Sequence, residues 1–479
     1  MSEKQPIREK NNGTPTLRDS LALQTYEFAN LGEQGEQAVD RFISGESLEL
    51  DLPNPGMGEY AIDMHIRNLE KALKPYEQSG SFSTEYRLAE AYYLKSAVRL
   101  SHSTPSQAQI DQFQVINKEL YGEIDKDLAD AVYAKIWSQL EKSKGGRTEK
   151  LYKELEDGFV FTANDSTTLD VPGLPKPEGG EKILPKLDTE LKEHLKILLD
   201  SEFEPAKKVI DEYTQTNGEE VSADKIGDLF RAAIESMGIE VDVVEDEEAS
   251  NLSWSSAKNA VVVGLKRKPI SGSKNILGLF VHEVGVHGRR SQNGSKLKDI
   301  ALTNGLFTDF DAEAGEGPSY LTFEEGLATT LQNIVTDKTE DWGMPSLANY
   351  LTAALASKGY TSRQILEIVG RVRTIFSEKD NESTALEEPT LKAKKAATKN
   401  IVRIFRGTPS GKAYKTSEGV TLHYAKDTAY LSGRIKVIEY LNSIQSEIAE
   451  NWDSLFAGKY DPTNQHQKQY VQNAMDSIG

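Results

Sequence analysis

Two histidines and a glutamate stand together in the run His282-Glu283-Val284-Gly285-Val286-His287. These residue types can do metal chemistry. A neutral imidazole is a good ligand for Zn²⁺, and a glutamate beside it can take a proton from a water that the metal activates. The apolar run Ile276 to Val281 leads straight into the motif, which predicts a buried helix. Burying imidazoles and a carboxylate unpaired is costly, and a metal ion removes that cost. The commoner zinc-peptidase motif, H-E-x-x-H, places its histidines one residue closer, on one helix face. Here they stand five apart. At about 100° per residue, five steps overshoot alignment by about 140°. The spacing therefore predicts a helix widened by one residue, a π-bulge, with Gly285 lowering the cost of the distortion.

A hydrolytic zinc takes three protein ligands and keeps one position open. The chain has no cysteine, so thiolate sites, disulfides and cysteine nucleophiles are excluded, and any ligand is His, Asp or Glu. The run Thr322-Phe323-Glu324-Glu325-Gly326-Leu327-Ala328 offers two acids at the start of an apolar helix. Acids also favour a positive helix N-terminus. The run alone therefore leaves both Glu324 and Glu325 open as the third ligand.

Taken together, H-E-V-G-V-H-G-R-R and the later E-E-G-L-A resemble the microtubule-associated tyrosine carboxypeptidase family and its bacterial relatives with a (Q/E)-E-G-L-A motif. Leu120-Tyr121-Gly122-Glu123 is similar to a further family element. So are the run Arg403 to Gly407 and the run Lys426 to Gly433. The resemblance spans roughly residues 110 to 445 and departs from the family pattern at Ala425. It implies a zincin-like metallopeptidase core holding one Zn²⁺ per chain. His282, His287 and Glu325 are then the ligands and Glu283 the general base, while Glu324 falls where relatives can carry Gln and should be replaceable.

The implied reaction is hydrolysis of a peptide bond, releasing a C-terminal residue from a peptide or protein. A donor must stabilise the tetrahedral oxyanion, for which Tyr430 and His423 are candidates. The substrate carboxylate needs a cation, and Arg403, Arg406 and Lys426 can supply one. Arg403 and Arg406 equally suit the end of a helix. Two other readings use the same motif: a zinc endopeptidase or amidase, and a non-enzymatic scaffold with a structural metal. A base beside its ligand has no use in the last.

These side chains need a frame. The 479 residues, 38 % of them apolar, can bury a large core. The periodicity predicts a mainly α protein with a small β-sheet, an α+β fold. The organisation expected is a disordered arm over 1–20, a helical region over 21–145 and a loop-rich connection over 146–185. A catalytic domain over 186–450 and a polar tail over 451–479 follow. Strands are expected at Glu240 to Val244 and Ala260 to Leu265, the latter as an edge for an extended peptide. Helices are expected near Thr189 to Gln215, Asn275 to Arg290, Thr322 to Val335, Pro389 to Phe405 and Tyr424 to Ala449. The net charge of −19 makes the chain a poor nucleic-acid binder and opposes encounter with acidic tubulin tails. No apolar run suggests a membrane partner, and the polar first residues point to the cytoplasm. Oligomeric state is not legible.

Overall fold

The computed structural model describes residues 32–50, 52, 106–143, 145–178, 184–247, 249–255, 258–298, 302–303, 305–306, 320–339, 342–377, 385–405, 408 and 414–477. The disordered arm, residues 53–105 of the expected helical region, and Arg406 lie outside them. The described chain is mainly helical with small sheets. No helix among the described residues is long and apolar enough to cross a membrane.

Two apolar clusters organise the helices. One gathers Tyr133, Trp137, Leu351, Val369, Ile401 and Phe405 from helices Lys126–Lys142, Met344–Ser357, Ser362–Ser377 and Leu391–Phe405. The other gathers Leu199, Phe230, Val261, Phe280, Val284 and Leu327, and takes in Val284 and Val286 of the His282–His287 run. Helix Ala429–Ser443 serves both, giving Leu431 and Ile438 to the first and Val437 and Leu441 to the second. It is thereby fixed from two sides, and its N-terminal turn carries Tyr430.

The expected helix from Thr189 to Gln215 is two helices, Thr189–Glu202 and Glu204–Asn217. Pro205 opens the second, where its missing N–H costs nothing. The break leaves Phe203 buried between them, its ring against Gly285 of the His282–His287 run. The 146–185 region is more regular than expected. It holds helix Glu149–Asp157 and an antiparallel hairpin, β1 Phe159–Thr162 with β2 Thr168–Val171. The first strand alternates half-buried and exposed positions and the second exposed and buried ones, patterns short enough to miss.

Short strand β3 Glu220–Val221 pairs with β7 Ile270–Ser271. Strands β4 Asp242–Asp246, β5 Leu252–Ser255 and β6 Ala260–Gly264 form a three-stranded sheet in the order β4-β6-β5. The strand expected at Ala260 to Leu265 exists, but it is central. It pairs in parallel with β4 and antiparallel with β5. Both its edges are used, so it cannot receive a peptide. The outer strand nearest the His282–His287 run is β5, whose Trp254 N–H bonds Glu283.

The segment expected as a loose tail is packed. Leu455, Phe456, Lys459, Tyr460 and Asp461 are buried, and helix Gln465–Asp476 starts at an Asn464 cap whose side chain accepts from the Gln467 N–H. The segment lacks a long apolar run, and a few anchors hold it instead.

Candidate metal centre

The helix Ser273–Phe280 runs into a π-helical stretch, Val281–Gly288, and then into Arg289–Lys296. The widening expected from the five-residue spacing is present. It brings the His282 and His287 rings to 5.1 Å between centroids. Gly285 has a further reason to lack a side chain: a Cβ there would lie 2.5 Å from the Phe203 ring. The break before Pro205 and the glycine of the motif are therefore one packing feature.

Helix Leu321–Val335 lies against this stretch and presents Glu325. Its Oε2 stands 3.9 Å from His282 Nε2 and 3.7 Å from His287 Nε2. One donor atom from each of the three residues lies within 4.8 Å of the others. Glycine contact sets this arrangement too. A Cβ on Gly326 would meet the Gly433 backbone at 2.1 Å, and one on Gly433 would meet the Thr322 carbonyl at 1.9 Å. The two motif glycines are what let helices Leu321–Val335 and Ala429–Ser443 touch backbone to backbone.

Each imidazole is held by its far nitrogen. His282 Nδ1 is 2.9 Å from Gln332 Oε1, and His287 Nδ1 is 2.7 Å from Glu324 Oε1. Those acceptors place the proton on Nδ1 and leave Nε2 as a lone pair facing Glu325, the tautomer a metal needs. Glu325 Oε2 is buried without a hydrogen-bond partner. Two imidazole nitrogens and an orphaned carboxylate oxygen in one buried spot repel one another unless a proton or a metal ion joins them. Donors bound to zinc at about 2.0–2.1 Å in tetrahedral array stand about 3.3 Å apart, so the two histidine–Glu325 separations of 3.9 and 3.7 Å would close by roughly half an ångström. The triad can hold a metal ion.

Glu283 stands outside this cluster. It is buried, and its Oε2 accepts from the Trp254 N–H of β5 at 2.7 Å. Burial pushes its carboxyl up to about 7, helped by the Glu325 charge and opposed by His287, the Trp254 N–H and Arg267. Burial also drives His282 down to about 3, with His287 adding to the effect. His287 moves the other way. Burial resists its charge, but Glu325, Glu324 and Glu283 together hold it above the usual imidazole value.

Glu324 was expected to be replaceable. It is instead the hub of a buried network: besides His287 it takes Lys459 Nζ at 2.7 Å and Arg290 Nη1 at 3.3 Å. Burial opposes its charge, yet Lys459, His287 and Arg290 hold its carboxyl well below the usual range. Arg290 also donates through Nε to the Gly458 carbonyl at 2.8 Å and bonds the Tyr460 carbonyl. The C-terminal segment is thus pinned behind His287. Neither this network nor Gln332, Trp254 and Arg267 was anticipated. Gln332 follows Glu325 by two helical turns on one face, a spacing that could have shown it.

Tyr430 lies beside the centre: the Glu325 charge, then burial, push its phenol up. The Arg403 guanidinium is 5.6 Å from its ring and bonds Asp427 Oδ1 at 2.7 Å. His423 is buried with Nδ1 2.9 Å from its neighbour's carbonyl, Thr421 O. Lys426 is half-buried on the turn Ala425–Thr428. The Tyr121 element docks against this region. Its hydroxyl is 2.9 Å from that of Tyr424, and Asn117 Oδ1 accepts the Ala425 N–H.

Comparison with protein-family models, with curated proteins and with solved structures finds no match for this chain.

Proposed function

We propose that this protein is a zinc-dependent peptidase of the carboxypeptidase kind. The observation that carries the reading is Glu283: a buried carboxylate held through one oxygen by the Trp254 N–H, beside a three-donor cluster but outside it. A structural site has no need of such a group. Zinc held by His282, His287 and Glu325 would supply Lewis acidity, activating a water and polarising the scissile carbonyl.

The chain's own groups then account for the protons. Glu283 accepts a proton as the water oxygen bonds to the carbonyl carbon. It returns that proton to the leaving nitrogen as the C–N bond breaks. The Trp254 N–H fixes one carboxylate oxygen and leaves the other for this exchange. Tyr430, whose phenol the Glu325 charge and burial keep protonated, would be the donor to the oxyanion, whereas His423 donates to a backbone carbonyl. Arg403, balanced by Asp427, steadies the Tyr430 ring. Release of a C-terminal residue rests on the motif resemblance to the microtubule-associated tyrosine carboxypeptidases. The acidity of this chain favours neutral or basic chain ends over acidic tails.

The test is metal content by native mass spectrometry, with peptide hydrolysis measured beside it. About one zinc per chain in the wild type and almost none in His287→Ala is expected. Equal content in the two overturns the metal site.

A further inference from the structure

Lys459 belongs to the C-terminal segment, yet it is only 3 % exposed. A lysine is almost never buried that far unless its charge is met. Here the metal centre meets it. Its Nζ lies 2.7 Å from Glu324 Oε1, the oxygen that also faces His287 Nδ1 at 2.7 Å. The other oxygen, Oε2, takes Arg290 Nη1 at 3.3 Å. The Glu324 carboxylate thus stands between the His287 imidazole and a pair of buried cations.

The lysine is itself held in place. Its N–H donates to the Leu302 carbonyl and its own carbonyl accepts from the Leu306 N–H, each at 2.8 Å. Arg290 donates to the carbonyls on either side of it, those of Gly458 and Tyr460. Two residues on, the buried Asp461 bonds Lys436 of helix Ala429–Ser443. The backbone around Lys459 is therefore tied to the chain of the histidines and to the helix of Tyr430. Its side chain is tied to the helix of Glu325.

This arrangement fixes a direction. The acceptor on the far nitrogen of a ligand imidazole sets where its lone pair points. For His287 that acceptor is Glu324 Oε1, and Lys459 holds the same oxygen in place. With an apolar chain at position 459 the carboxylate keeps only Arg290 of the two cations and is drawn toward it. His287 then loses its fixed acceptor. Charge alone predicts the opposite outcome: removing one cation beside the site of another favours the ion. Orientation and charge therefore push metal affinity in opposite directions at this residue.

We propose that Lys459 is a positioning residue of the metal centre: through Glu324 it aims the His287 imidazole, so the C-terminal segment completes the site. This rests on His282, His287 and Glu325 being metal ligands, and not on the reaction they serve.

The test is zinc affinity by chelator competition, on the full chain. Lys459→Met should bind zinc roughly 10-fold more weakly than wild type, and Lys459→Arg should recover part of that loss. The double variant Glu324→Gln/Lys459→Met separates aim from packing. Gln keeps an oxygen for His287 Nδ1, Met leaves no ammonium unpaired, and the net charge equals that of wild type. The double variant should bind zinc more tightly than either single variant, Glu324→Gln or Lys459→Met. The visible absorption of the Co²⁺-loaded proteins should follow, altered in Lys459→Met and close to wild type in the double variant. Equal or tighter zinc binding by Lys459→Met overturns the inference. So does a double variant that loses the sum of what the singles lose. If Lys459→Met fails to fold, the double variant against Glu324→Gln decides by the same rule. A wild type that binds no zinc removes the metal site itself, whereas a wild type that binds it no better than Lys459→Met removes this inference alone.

Discussion

Replacing Glu283 by Gln should stabilise the metal-free protein above neutral pH. The carboxyl moves from 4.5 to about 7 on folding, mainly through burial. At about 1.4 kcal/mol per tenfold change, that is worth about 3 kcal/mol. The side chain is only 7 % exposed, so solvent screens little of it. The sign follows from linkage. A carboxyl whose folded value is raised is most favourable to folding below about 4.5, and that advantage is lost as pH rises through about 7. Gln keeps an acceptor for the Trp254 N–H and does not titrate. Urea unfolding of chelator-treated wild type and Glu283→Gln, at pH 5 and pH 8, should show the variant gaining about 3 kcal/mol over the wild type at the higher pH. Saturating zinc should shrink the gap, because a cation favours the ionised carboxylate. In the zinc protein kcat/KM should fall as pH drops through the same titration, which the metal's charge shifts downward. A stability difference that is the same at both pH values refutes the buried-base argument.

Two further outcomes test the frame around the metal. Glu324→Ala removes the acceptor that orients His287 and leaves Lys459 and Arg290 without their shared partner, so zinc affinity by competition with a chelator should fall roughly 10- to 100-fold. Affinity equal to wild type would show the network to be idle. Gly326→Ala places a methyl against the Gly433 backbone at 2.1 Å. That contact is with backbone and cannot be relieved by a rotamer change, so the variant should lose about 1–3 kcal/mol or more of stability and, with Glu325 displaced, most of its zinc. Normal stability and one zinc per chain would contradict the close helix contact.

What could be read from the sequence is what depends on local angle. The His282–His287 spacing fixes a phase along one helix, and that phase required the widened stretch that Val281–Gly288 adopts. The helices at Leu321–Val335 and Leu391–Phe405 were likewise visible in their apolar period. The rest depends on chain segments that meet only after folding. Lys459 reaches Glu324 across 135 residues, and nothing in the polar composition of its segment distinguishes a buried lysine from a solvated one. The role of Ala260–Gly264 as a central strand depends on β4 and β5 flanking it, and β5 carries no strong strand pattern of its own. Gly285 shows both kinds of information at once. Its place in the motif suggested a relaxed backbone, but its tightest constraint is Phe203, brought there by a helix break that Pro205 announces in the sequence. Motif residues of this site are therefore legible one at a time, and their supports become legible only when two motifs are read as touching. Gly326 and Gly433 are the clearest case: two glycines from separate motifs, each required because the other is there.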